Sequence, residues 1–231
     1  IYLKELGYDL ILVSRNIDDI KIESKKISCD LSKIDNVYKL YDQIKNEEID
    51  LLVNCAGFGL IGNSWEIDTK KELEMINVNA ISPCLLTKLV LKDMIKKDKG
   101  RILNVTSSAG FSIGPLFNSY YATKNYISKY TLGLYQELKS INSNVHVSIL
   151  APGPVNTNFN NKMNAKFKTK ALDSKYVAKY AIDKCLKNKL LIVPGFTNKL
   201  AMLSNRIFPY KTIMKVNYKI QKNKIIDEKF T

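Results

Sequence analysis

The sequence predicts a doubly wound α/β fold, a parallel sheet with helices on both faces. Three observations carry this reading. Apolar runs rich in Val, Ile and Leu recur without strict alternation, as in strands covered on both faces. Stretches with the apolar spacing of helices lie between those runs. The two kinds alternate along the chain, which calls for repeated βαβ units.

Taken in order, Asp9–Ser14 (DLILVS) is the first strand and Lys26–Cys29 a short second one. Ile34–Asn46 follows as a helix, with Val37, Leu40, Tyr41 and Ile44 on one face. Ile49–Asn54 (IDLLVN) is the third strand. Lys70–Lys97 reads as one long helix, apolar through Leu85–Leu91. Arg101–Thr106 (RILNVT) returns to the sheet. Ser119–Ser140 is a helix whose Tyr126, Ile127, Tyr130, Leu134 and Leu138 share a broad face. Val145–Leu150 (VHVSIL), a helix over Ser174–Lys187 capped by Ser174, and Leu190–Val193 complete the series. No repeat, linker or low-complexity segment divides the chain. Residues 1–195 are expected to form one α/β domain and 196–231 a helical extension of it. Within that extension Asn198–Ile220 mixes apolar residues with lysines and Pro209. It is open to three readings: a lid over an apolar substrate, a peripheral contact with an anionic membrane, or a solvated helix pair.

A chain of 231 residues with 45% hydrophobic and 25% charged residues is expected to be one soluble domain with a substantial core. No apolar run reaches bilayer length, and the sequence shows no secretory signal pattern. Cys29, Cys55, Cys84 and Cys185 have no metal-ligand spacing, so no metal is expected and a reducing, cytoplasmic setting is. The net charge of +14 comes from 33 Lys and only three Arg (Arg15, Arg101, Arg206). Nucleic-acid readers lean on the Arg fork, so the charge reads as a solvated basic surface and no nucleic-acid partner is expected. His146, the only histidine, lies within a strand and reads as a sheet residue rather than a base.

The chemistry gathers at Ser107, Tyr120 and Lys124. Five Tyr-x3-Lys pairs occur (Tyr41/Lys45, Tyr120/Lys124, Tyr135/Lys139, Tyr180/Lys184, Tyr218/Lys222), against roughly two expected by chance, so the spacing alone selects nothing. Context selects Tyr120/Lys124. The two side chains share a helix face, and Ser107 sits at the carboxyl end of a strand, where open α/β sheets bind ligands. A tyrosine titrates near pH 10 when free. A cation about 4 Å away, at an effective dielectric of about 20, lowers this by roughly three units at most. A serine hydroxyl can polarise a carbonyl whose oxygen takes up charge.

Six segments in this order and spacing resemble one family. They are Asp30-Leu31, Asn54-Cys55-Ala56-Gly57, Asn77-Val78-Asn79-Ala80, the strand Gly100–Ser108, Tyr120-Tyr121-Ala122-Thr123-Lys124 and Pro152-Gly153-Pro154-Val155-Asn156-Thr157. The chain resembles the short-chain dehydrogenase/reductases from about residue 1 to 195. The resemblance implies a Rossmann-like sheet and hydride transfer between a nicotinamide cofactor and a carbonyl or secondary alcohol. It implies Tyr120 as proton donor or acceptor, Lys124 as its partner and a ribose ligand, Ser107 as carbonyl ligand, and Asn79 as holder of a water linking the lysine to solvent. Asp30 and Leu31 would lie near the adenine. Asn54, Ala56 and Gly57 would line the cofactor, and Pro152, Gly153, Val155 and Thr157 would flank the nicotinamide. Arg15, just after the first strand, stands where an NAD-preferring site places a carboxylate, so NADP(H) is expected over NAD(H). The apolar tail favours a lipophilic carbonyl, such as a 3-oxoacyl chain or steroid. Helices 70–97 and 119–140 are expected to pair copies into a homodimer or homotetramer.

No Gly-x3-Gly-x-Gly stands before Arg15, and Ile1–Gly7 resembles the end of the family's first helix. The expectation is therefore a sheet missing its first strand, between Asp9–Ser14 and Ile49–Asn54, in an N-terminally incomplete or truncated form. Both neighbours would then lack backbone partners along one edge. The rival reading is a non-catalytic nucleotide-sensing or interaction module on the same scaffold, or an inactive truncated product.

Overall fold

The computed structural model describes residues 1–157, 159 and 171–223. Six strands are described: β1 (Ile11–Ser14), β2 (Lys25–Ser28), β3 (Leu51–Asn54), β4 (Gly100–Val105), β5 (Val145–Leu150) and β6 (Leu191–Ile192). All their pairings are parallel. β1 pairs with β2 from Ile11 opposite Lys25 to Ser14 opposite Ser28. β3, β4, β5 and β6 form a second sheet in that order. Among the described residues β1 and β3 do not pair, so the sheet is divided between them.

Among the described residues there are eight α-helices: α1 (Tyr2–Glu5), α2 (Ile34–Ile44), α3 (Thr69–Ile76), α4 (Ser82–Lys97), α5 (Asn118–Ser140), α6 (Ser174–Leu186), α7 (Phe196–Ile207) and α8 (Tyr210–Lys222). Alternate residues of a strand point to opposite faces, and β4 shows the consequence. Ile102 joins Val37, Leu40 (α2), Val90, Met94 (α4) and Leu138 (α5) in one core. Leu103 joins Val177, Ala181 and Ile182 of α6 in the other. The first core also takes in Ile27 and Cys29, with Ile11 and Val13 packed against it, so one apolar cluster binds the two sheets together.

Two expectations need correction. Lys70–Lys97 is not one helix: α3 ends at Ile76, a π-turn runs over Asn77–Ile81, and α4 begins at Ser82. Pro83 has no N–H to give the Asn79 carbonyl four residues back, and a wider turn accommodates the lost bond. The cap of α6 is Asp173, whose Oδ1 accepts from Tyr176 N at 2.8 Å, and Ser174 is the first helical residue.

Behind the carboxyl ends of β3 and β4 lies a polar ladder. Asn54 Nδ2 donates to Thr87 Oγ1 (2.9 Å) and Asn104 Oδ1 (2.8 Å). Asn104 Nδ2 donates to Thr131 Oγ1 (2.9 Å), which donates to Ile127 O (2.7 Å). The ladder ties β3, β4, α4 and α5 with every member satisfied, the condition under which a buried polar network stabilises. Asn104→Ala is expected to cost about 1–3 kcal/mol, the penalty of stranding buried polar groups. Urea unfolding should show this as a lower midpoint at unchanged slope, and an unchanged midpoint would refute it.

Candidate active site

The parallel strands end on one edge, and the sequence-selected residues line it. Arg15 follows β1, Asp30 lies just past β2, Asn54 closes β3, Ser107 lies just past β4, and Pro152 just past β5. Carboxyl ends of parallel strands are where such sheets present ligand-binding groups.

Ser107 is extended and caps the 3₁₀ turn Ser108–Phe111. Its Oγ accepts from Ala109 N at 3.1 Å and lies 3.5 Å from Pro152 O. Gly110 lets this turn press on α5, since a Cβ there would stand 2.7 Å from Lys124 O. Tyr120 and Lys124 occupy the first two turns of α5 and are both buried. The Tyr120 ring stacks on Phe117 (centroids 4.3 Å apart) and meets Phe159 at 5.7 Å. Burial pushes the Tyr120 phenol up from its ordinary range, and a hydrogen bond with Ser107 works against the rise. Lys124 Nζ donates to Val105 O at 3.1 Å and lies 5.9 Å from the centre of the Tyr120 ring. Its own burial lowers it to about 8.

The expectation that Lys124 depresses the tyrosine is therefore corrected. Spacing places the two on one face, but depth decides the titration. Desolvation of the phenol outweighs its polar contacts, and the lysine's own charge is disfavoured in the same apolar surroundings. The result is a tyrosine held as an acid, the form needed to protonate a carbonyl oxygen.

Asn79 sits in the π-turn with all its amide groups engaged. Oδ1 accepts from Phe58 N (3.0 Å), and Nδ2 donates to Phe58 O (2.8 Å) and Thr123 Oγ1 (3.3 Å). The side chain thereby clamps the backbone beside Gly57. A Cβ on Gly57 would stand 3.0 Å from Asn79 Oδ1 and 3.3 Å from Lys124 Nζ, so this strand-end turn lies directly against those two side chains. The Asn54 amide, expected to line the cofactor, is used in the polar ladder instead and fixes the turn from within. Ala56 is exposed. Pro152 O accepts from Ser108 N at 2.8 Å, which couples the β4 and β5 ends. Gly153 packs against the Asn198 amide, Val155 bridges to Leu172, and Thr157 Oγ1 accepts from Phe159 N at 3.3 Å. Further along the edge, Ser32 N–H bonds hold the Asp30 carboxyl below its ordinary value, and the charges of Arg15 and Lys33 add to this. Leu31 O accepts from Ser82 Oγ at 2.6 Å. The structure thus gathers Ser107, Tyr120, Lys124, Asn79 and Gly57 into one cluster, with Arg15 and Asp30 together at the far end of the edge.

Sequence reading missed the wall opposite. Tyr121 receives a hydrogen bond from Gln221 Nε2 at 2.7 Å, and burial pushes its phenol up to about 12. Asn217 Nδ2 donates to Ser112 Oγ (2.9 Å) and Ile113 O (2.6 Å). These amides, at i and i+4 on α8, fasten that helix beside the end of the 3₁₀ turn and the start of α5; two amides at helical spacing among lysines were the available signal. Phe58, Leu60, Ile61, Phe117, Tyr121 and Phe159 pack with Tyr120 in an apolar cluster.

The lysine tests the fit of a nicotinamide cofactor. Its buried ammonium has three N–H donors and one acceptor among the described residues, Val105 O. Vicinal hydroxyls of a ribose would satisfy the remainder, and Gly57 leaves the close approach open. Described residues contain no His/Cys/Asp/Glu cluster suited to a metal.

A family profile described as short chain dehydrogenase matches residues 3–168. Very-long-chain 3-oxoacyl-CoA reductase-B from Danio rerio is 34% identical over 158 residues, which cover 60% of this chain and 50% of that protein. The chain spans about half the length of the curated relatives it matches. A 7β-hydroxysteroid dehydrogenase structure superposes with a TM-score of 0.78 at 20% identity, covering 91% of this chain and 87% of that one. A short-chain dehydrogenase from Sphingobium yanoikuyae in complex with NADPH gives 0.78 at 18% identity, with 89% and 86% covered. At these identities the two structures show the fold.

Proposed function

The chain belongs to the short-chain dehydrogenase family, and from that premise we propose that it reduces a lipophilic carbonyl, of the 3-oxoacyl or steroid class, with NADP(H) as hydride donor. The observation that carries this reading is the Ser107–Tyr120–Lys124 cluster at the strand ends, its tyrosine and lysine buried and its serine half-buried, walled by aromatic and aliphatic side chains. The apolar wall suits a hydrocarbon substrate, and the 3-oxoacyl-CoA reductases among the relatives support that class.

The nicotinamide supplies the hydride when bound. Every other part of the reaction falls to the protein. Ser107 Oγ and Tyr120 Oη hold the carbonyl oxygen, and the Tyr120 proton passes to it as the alkoxide forms. Lys124 and the turn at Gly57 would bind the nicotinamide ribose. The Asn79 clamp fixes that turn, and Pro152 and Gly153 bound the site on the β5 side. Arg15, exposed beside Asp30, would take the 2′-phosphate. All four cysteines are free thiols, which supports a cytoplasmic setting. Tyr126 (47% exposed) and Ile95 (40%) stand on α5 and α4, the helices on which we place pairing of two or four copies.

The test follows loss of reduced-nicotinamide absorbance by the full-length protein with 3-oxoacyl-CoA esters of increasing chain length. Turnover with NADPH that improves with chain length is expected, and no turnover with any ester or ketosteroid would sink the reading. Arg15→Ala should weaken NADPH binding by about 10- to 100-fold, the worth of a charge-assisted phosphate contact, and leave NADH unchanged. An NADPH/NADH preference unmoved by this change would remove Arg15 from the site.

A further inference from the structure

A surface helix normally turns its apolar stripe to the core, and α7 does the reverse. Phe196, Leu200, Leu203 and Ile207 recur at i, i+4, i+7 and i+11, so they form one line along the helix. They are 79, 58, 52 and 70% exposed. The buried side of α7 is Met202 alone. The joint to α8 adds Phe208 and Tyr210, both exposed.

The next helix carries an exposed cationic side. α8 is seated through Ile213, Asn217 and Gln221 at i, i+4 and i+8. Lys211, Lys215, Lys219 and Lys222 lie on the opposite side and are exposed, with Met214 and Tyr218 along one shoulder. From Phe196 to Asn223 there is no carboxylate, while Lys199 and Arg206 bring the cations to six. None of the six belongs to an ion pair among the described residues, although lysines elsewhere in the chain pair with Asp or Glu.

We propose that α7 and α8 form a docking surface for an anionic lipid bilayer. The apolar line on α7 has the length and exposure to enter the headgroup boundary. The exposed lysines of α8 have flexible apolar stems that let the ammonium reach lipid phosphates and carboxylates. Charge complementarity selects this occupant. A second copy would bring six cations against six, and a nucleic acid would leave the apolar line in water. Among the described residues no helix is long and apolar enough to cross a membrane, so the contact lies along the surface. The proposal does not rest on the reductase reading, since binding is measured without turnover.

The test sediments the chain with phosphatidylcholine vesicles, with and without phosphatidylserine, in low and high salt. Binding to the serine-containing vesicles is expected, weakened about tenfold or more by high salt or by omitting the anionic lipid. Leu200→Glu/Leu203→Glu and Lys211→Glu/Lys215→Glu should each abolish it with unchanged circular dichroism and melting. If the first pair disturbs the fold, Leu200→Ser/Leu203→Ser gives the same comparison. Failure to sediment, equal binding to neutral vesicles, or variants that bind like the parent would each overturn the proposal. So would a lipid-free dimer, seen by sedimentation velocity, that Leu200→Ser/Leu203→Ser dissociates, because the face would then belong to a second copy.

Discussion

Tyr120→Phe is expected to lower turnover by about 100- to 10,000-fold, the range associated with loss of a positioned general acid. KM for the carbonyl should move only a few-fold. The change removes one oxygen and keeps the ring, so the stack on Phe117 and the contact with Phe159 survive. Ser107 retains its bond from Ala109 N. Stability should therefore stay within about 1 kcal/mol of the parent, the net worth of one hydrogen bond. Tyr121→Phe is the matched control. It removes the acceptor of Gln221 Nε2 on the opposite wall, so it should cost about 1–3 kcal/mol of stability while turnover stays near the parent's. Steady-state rates and urea midpoints on both variants make the comparison, and full turnover by Tyr120→Phe would end the assignment of the acid.

The strands were legible because they are covered on both faces. Continuous Val/Ile/Leu runs locate β3, β4 and β5 to within a residue or two, and the strand order locates the division between β1 and β3. The candidate cluster was legible for a related reason. A strand-end serine and an i, i+4 pair fix which groups meet before any side chain is placed. Features that depend on depth or long range were not. Helical periodicity runs on through Asn77–Ile81, so only Pro83 marked the π-turn. The Asn54 amide reads as a ligand from its motif, but its partners, Thr87 and Asn104, are set by how α4 and β4 pack around it. The docking of α8 on Tyr121 joins residues about a hundred positions apart, beyond any local pattern. The missed titration of Tyr120 is of the same kind, because proximity to a lysine can be read from spacing and burial cannot.

Lys124→Met should make the protein more stable at neutral pH and abolish its activity. The buried lysine titrates at about 8, down from 10.5, because burial disfavours its charge; the nearby Cys55 works weakly the other way. Between those two values the unfolded chain binds more protons than the folded one, so stability from this group rises with pH. It is complete above about 10.5 and is lost as pH falls through about 8. Below that point the folded protein carries a charge that its surroundings oppose, at a cost of up to about 3 kcal/mol. Methionine has a similar volume and no charge. It should recover about 1–3 kcal/mol at pH 7, after the bond to Val105 O is lost, and nothing above pH 10.5. Urea unfolding of both proteins at several pH values measures the difference. The same titration should act on turnover with the opposite sign, since in the proposed reaction the ammonium would hold the ribose. Tyr120, raised by burial, stays protonated through this range, so a fall in the reduction rate above about pH 8 belongs to the lysine. A site that loses activity over the pH interval in which its fold gains stability carries its lysine for function. Equal stabilities of parent and variant at pH 7 would refute that account.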